Sequence, residues 1–132
     1  MYVREHMSKT PTTITADSEL QTALRVLQDR SFRRLPVTDA AGRIIGVVTE
    51  RDLLLAVSHY LNSPVDVESV MTRPVVTTTP DTPLAEAAML MVSKKIGGLP
   101  VVDTDQRVVG IITESDIFRA FVDMLTARVV SN

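Results

Sequence analysis

The sequence contains no cysteine and no tryptophan, and only two histidines. Without a thiol it can form no disulfide, run no thiolate chemistry and bind no sulfur-ligated zinc. Aromatic residues make up 4% of the chain, which argues against a stacking platform for single-stranded nucleic acid. Formal net charge is −2, so no overall basic field draws nucleic acid or an acidic membrane. No apolar run approaches the roughly 18–20 residues of a membrane span, and the opening "MYVREHMSKT" lacks the apolar stretch of a secretory signal. A cytoplasmic protein is the expectation. His6 and His59 stand far apart, in no metal-ligand spacing, and Ser58 is too close to His59 in sequence to suggest a triad. Asp103 and Asp105 read as turn residues. No catalytic site can be assembled, so no enzyme is expected.

What is present is a globular composition, 45% apolar and 23% charged over 132 residues, and a duplication. "GVVTERD" at Gly46–Asp52 returns as "GIITESD" at Gly110–Asp116, 64 positions later. The same offset pairs Met7 with Met71, Leu20 with Leu84, and "LPV" at Leu35–Val37 with "LPV" at Leu99–Val101. A unit of about 60 residues buries too little surface to be secure alone, so the halves are expected to pack around a shared core. The expected boundaries are a first repeat at 1–61, a linker at 62–70, a second repeat at 71–125 and a tail at 126–132.

Each half reads β-α-β-β-α, a mixed α/β (α+β) chain. An extended run, "TPTTIT" or "RPVVTTTP", precedes the first helix. Ser18 is the expected N-cap, with Gln21 completing a capping box, before an apolar stripe at Leu20, Ala23, Leu24 and Leu27. Thr82 is the matching cap, with Pro83 at the first helical position. "LPVTD" and "LPVVD" read as strands whose prolines fit a strand start or an edge, and "RIIGVVT" and "RVVGIIT" as β-branched strands. The last helices are expected from about Glu50 to Tyr60 and from about Glu114 to Leu125. The joining segment carries a turn signal at Asn62–Pro64 and a short helix around Val67–Met71.

Thr49 with Asp52, and Thr113 with Asp116, are spaced as N-cap and N3 of a helix, a cap worth roughly 1 kcal/mol. Gly46 and Gly110 interrupt well-built strands, which marks a bulge or a close approach by a backbone or a ligand. Arg33 and Arg34 suit bidentate phosphate recognition, and equally suit a solvated helix C-terminus. Their counterparts are Gly97 and Gly98, with Lys94 and Lys95 just before. "LLLAV" spreads apolar residues wider than one core face needs, and so does "IFRAFVDML". The helices around Leu53–Val57 and Ile117–Leu125 are therefore expected to bury apolar surface between subunits.

The leading "HMSKTP" and "VMTRP", the central "RRLPV" and "GGLPV", and the closing "GVVTERD" and "GIITESD" together resemble the CBS domain, named after cystathionine β-synthase. The resemblance runs from about Val3 to Leu125 in two copies. Such a tandem pair is called a Bateman module, and here it fills nearly the whole chain. It implies two repeats packed by pseudo-twofold symmetry into one regulatory module that often binds AMP, ADP, ATP or S-adenosylmethionine in clefts between repeats. By position it implies that Thr49, Asp52, Thr113 and Asp116 hold ribose hydroxyls. It assigns adenine contacts to Thr12, Thr13 and Ile14 and to Val75, Val76 and Thr77. Phosphate falls to Arg33 and Arg34, with Leu35 and Pro36 alongside; Gly98, Leu99 and Pro100 are the second-half equivalents, and there the glycines depart from the basic pattern. The implied assembly is a homodimer that senses cellular energy and signals to an effector protein by conformational change. The alternatives are a ligand-free dimerisation or protein-interaction module, and S-adenosylmethionine, magnesium or nucleic-acid binding.

Overall fold

The computed structural model describes residues 1–9, 11–30, 33–59 and 65–131; the turn expected at Asn62–Pro64 lies outside them. Among the described residues four helices form: α1 Leu20–Arg30, α2 Glu50–His59, α3 Leu84–Lys94 and α4 Glu114–Ser131. The strands are β1 Ile14–Thr15, β2 Arg34–Thr38, β3 Ile44–Thr49, β4 Gly98–Val102 and β5 Val108–Thr113. Short 3-10 turns occupy Val3–Glu5 and Val67–Ser69. The expected β-α-β-β-α order is complete in the first half. In the second, the opening strand shrinks to Thr78, held in a parallel bridge to Val101. The chain divides into two compact units.

One unit gathers Thr12–Val75 with Thr104–Val108. Its sheet runs β1-β2-β3, with β1 parallel and β3 antiparallel to β2. The β2–β3 register runs from Arg34 opposite Thr49 to Val37 opposite Gly46, then slips so that Thr38 faces Ile44. The slip leaves Ile45 as the extra residue of a bulge. Pro36 sits inside β2 rather than at its start, opposite Val47. It is tolerated because β1 pairs with β2 only from Val37 onward, so no neighbouring strand on that side demands an N–H. α1 places Leu20, Ala23 and Leu27 on one face, where they join Leu35, Val37, Val48, Leu53, Val67 and Met71 in a core.

The second unit comprises Met1–Pro11, Val76–Asp103 and Val109–Asn132. Its core repeats the first at the 64-residue offset: Val3, Leu84, Ala87, Met91, Leu99, Val101, Ile112 and Ala120. Each unit thus has a hydrophobic core of its own where a shared one was expected. α4 runs to Ser131, past the expected end at Leu125, because no glycine or proline interrupts Glu114–Ser131.

The 3-10 turns explain a second difference. Val67 and Glu68 donate their N–H groups to the carbonyls of Ser18 and Ala16, at 2.9 and 3.0 Å. In the other unit Val3 and Arg4 donate to Thr82 and Pro80, at 2.9 and 3.0 Å. Each turn therefore braces the approach to a first helix, and the turn at the head of the first repeat serves the second. Ser18 and Thr82 are part of this brace and do not cap. Ser18 Oγ lies 3.0 Å from Thr15 Oγ1, and Thr82 Oγ1 lies 2.7 Å from Thr79 Oγ1. The helices begin one residue later than expected, at Leu20 and Leu84, and Pro83 is the residue before α3.

Candidate functional site

The repeated phrase does start a helix in each unit. A full capping box has two arms: the N-cap hydroxyl accepts from the N3 N–H, and the N3 side chain accepts from the N-cap N–H. Each unit shows one arm. On α2, Thr49 Oγ1 accepts from the Asp52 N–H at 3.1 Å. On α4, Asp116 Oδ2 accepts from the Thr113 N–H at 2.8 Å and from Thr113 Oγ1 at 3.0 Å. Arg119 then donates to Asp116 Oδ1. Asp116 is buried, at 5% exposed, and Asp52 is half-buried. The Asp52 carboxylate has no hydrogen-bond partner among the described residues, and it lies in a first helical turn, where the backbone dipole favours negative charge.

The strands set what stands beside each helix start. The Glu50 N–H donates to the Arg33 carbonyl at 2.8 Å, and Arg34 pairs with Thr49 across β2 and β3. Two arginines, a hydroxyl and a carboxylate are thereby collected at one end of the sheet. Arg33 is exposed and Arg34 half-buried. In the other unit the Glu114 N–H donates to the Gly97 carbonyl at 3.0 Å, so the scaffold is the same, but Gly97 and Gly98 bring no side chain to it.

The remaining expected residues fall into two groups. Thr12, Thr13 and Ile14 lead into and form β1, with Val75 in the same unit; Ile14 is core, while Thr12 and Val75 are half-buried and Thr13 is exposed. Val76 and Thr77 belong to the second unit with Gly98, Leu99, Pro100, Thr113 and Asp116. Leu35, Pro36, Leu99 and Pro100 are buried, and Leu35 and Leu99 sit in the two cores, so their backbone is what they have to offer a ligand. Gly46 and Gly110 have a packing cause rather than a ligand. A Cβ at Gly46 would strike Met71 Sδ, and one at Gly110 would lie 2.7 Å from the Ser8 carbonyl oxygen and 2.8 Å from Met7 Sδ. Sequence reasoning missed Arg119; its position three residues after Asp116 on a helix was the available signal. Among the described residues no group of three His, Asp or Glu side chains is placed to hold a metal ion, and no helix is long and apolar enough to cross a membrane.

The model of the CBS domain matches this sequence twice, at residues 3–59 and 67–123. The chain belongs to the CBS domain family. A CBS domain-containing protein of Dictyostelium discoideum is 37% identical over 134 residues, covering 93% of this chain and 92% of that one. An L-aspartate semialdehyde sulfurtransferase of Methanocaldococcus jannaschii is 34% identical over 119 residues; the match takes in 90% of this chain but only 23% of the enzyme's length. Among solved structures, a CBS domain pair in complex with 5′-methylthioadenosine and S-adenosyl-L-methionine superposes with a TM-score of 0.86 at 34% identity, covering 94% of this chain and 98% of that one. A CBS protein in complex with AMP superposes with a TM-score of 0.82 at 28% identity, covering 93% and 97%. The mixed α+β architecture of this CBS pair is that of those structures.

Proposed function

We propose that this CBS pair is a regulatory module that binds an adenosine-containing ligand of the AMP, ADP or ATP class and passes occupancy to an effector protein. The observation that carries the reading is the Asp52 carboxylate, held in the first turn of α2 with its oxygens unpartnered among the described residues. An ionised carboxylate is a pure acceptor and can take both hydroxyls of a ribose. Thr49 holds the backbone beneath it, and Arg33 and Arg34 stand at the same end of the sheet, where a phosphate would find charge-assisted donors. The adenosyl ligands in two similar structures agree with this chemistry. Thr12, Thr13 and Ile14, with Val75, Val76 and Thr77, are the adenine-facing backbone in this reading.

The test is thermal melting with AMP, ADP, ATP and S-adenosyl-L-methionine, alongside 2′-deoxy-AMP. A ligand at 100 times its dissociation constant stabilises by about 2.7 kcal/mol, a shift of several degrees for a domain of this size. The expected result is a shift with a ribose-bearing ligand that shrinks with 2′-deoxy-AMP and in Asp52→Ala. A well-folded protein whose melting no ligand moves would contradict it, and would favour a ligand-free interaction module.

The module is further proposed to act as a homodimer. Leu54 and Leu55 on α2, and Phe118, Phe121, Val122 and Leu125 on α4, are all exposed. Leu53 and Ala120 are core residues and Ile117 packs on the core, which narrows the expected interface to the outward-facing positions. Exposed apolar residues on a helix can meet their own copies across a twofold axis, the geometry of an isologous dimer.

A further inference from the structure

The two helix starts differ at one carboxylate. Both oxygens of Asp116 are engaged, Oδ2 by Thr113 and Oδ1 by Arg119. The Asp52 carboxylate has no partner among the described residues. The difference has two parts: Thr113 engages Oδ2 where Thr49 leaves the Asp52 carboxylate alone, and Oδ1 has a donor that α2 lacks. Arg119 lies three residues beyond Asp116, on the same face one turn along. The corresponding residue on α2, three beyond Asp52, is Leu55, which is 61% exposed and has no donor to offer. A ribose diol needs carboxylate lone pairs. At Asp52 they are open; at Asp116 Thr113 holds Oδ2, and a diol reaching Oδ1 must displace the Arg119 guanidinium.

Resting on the ribose reading above, we propose that the helix start at Asp52 loads first and that Arg119 holds the helix start at Asp116 back. Arg119 is a positioning residue in this scheme: it acts through Asp116. Its side chain is 71% exposed, so solvent screens the pair and the pair can be displaced. The penalty on the second site is therefore a graded one, about two- to fivefold in affinity, the range of an exposed ion pair. The consequence is a module whose two halves fill in order as ligand concentration rises.

The test exchanges the two residues. Calorimetric titrations of the full chain with AMP, ATP and S-adenosyl-L-methionine, each separately, compare wild type with Arg119→Leu and Leu55→Arg. Both substitutions lie at exposed positions and leave the cores intact; because Leu55 also lies on the proposed dimer face, sedimentation of Leu55→Arg beside wild type separates a change of assembly from a change at Asp52. Asp52→Ala and Asp116→Ala assign the binding events. Arg119→Leu is expected to tighten the weaker event, or bring it into range, by about two- to fivefold and to leave the tighter one alone. Leu55→Arg is expected to weaken the tighter event. The proposal is overturned if Arg119→Leu weakens the second event or leaves it unchanged, or if Asp116→Ala removes the tighter one. Failure of the underlying reading looks different: no titrant binds wild type, or neither aspartate substitution alters binding.

Discussion

Gly46 and Gly110 are each covered by a methionine, Met71 and Met7, from the segment that opens a repeat. Thr72 and Ser8, the next residues, bridge to Val47 and Ile111 with reciprocal backbone hydrogen bonds, so the segment runs along the strand edge and drops its methionine onto the glycine. The two positions differ in what a methyl group would meet. At Gly46 the obstacles are Met71 side-chain atoms; at Gly110 they include a backbone carbonyl. Gly110→Ala is therefore expected to cost more than Gly46→Ala, with both inside the roughly 1–3 kcal/mol typical of overpacking, as read by urea denaturation. Equal costs, or none, would mean that these contacts relax freely. The glycines were legible in the sequence as sites of close approach, but not the identity of the neighbour. A strand glycine records that something comes near; only the tertiary path of the leading segment says that it is a thioether.

At the scale of elements, most of the fold could be read in advance, because hydrophobic period and β-branched runs dominate these short segments. The helix α2 and the strands β2, β3, β4 and β5 form where the pattern put them. The differences lie at ends, and at the starts of α1 and α3 partners outside the local sequence decide. Ser18 and Thr82 look like caps, yet their carbonyls are claimed by Val67 and Val3, each far away along the chain. Thr49 keeps the N-cap role its spacing suggests, accepting from the Asp52 N–H. Thr49→Ala is expected to cost about 1 kcal/mol by denaturant unfolding, the usual worth of an N-cap. Asp116→Ala is expected to cost at least as much, since it leaves the Thr113 N–H without its acceptor at a part-buried site. If both variants unfolded like wild type, the Thr49 hydroxyl and the Asp116 carboxylate would have no structural part and the two caps would be incidental.

At the scale of the molecule, the duplication was plain in the sequence, and so were matched cores: Leu35 answers to Leu99, Val37 to Val101, Val48 to Ile112. The assignment of the leading segments was not. Self-similarity shows that Val3 and Val67 are equivalent, but it cannot say which repeat each one braces. The exposed apolar face of α4 was legible as excess hydrophobicity beyond one core-facing stripe. Phe118 and Phe121 are 68% and 53% exposed, so replacing both with Glu leaves the core intact and should split a dimer. Sedimentation at micromolar concentration is expected to give twice the chain mass for wild type and the single chain mass for Phe118→Glu/Phe121→Glu. A wild-type monomer would remove the dimer from the account.

In the proposed function an adenosine ligand meets the chain at the start of α2. The most direct measurement is an amide chemical-shift titration of the labelled 132-residue chain with AMP and with S-adenosyl-L-methionine. The account predicts that the amides of Thr49–Asp52 and of Thr12–Ile14 move first and saturate together, and that Asp52→Ala abolishes the movement. Saturating shifts confined to other residues, or no shifts with either ligand, would contradict it and leave the repeated phrase as two helix caps.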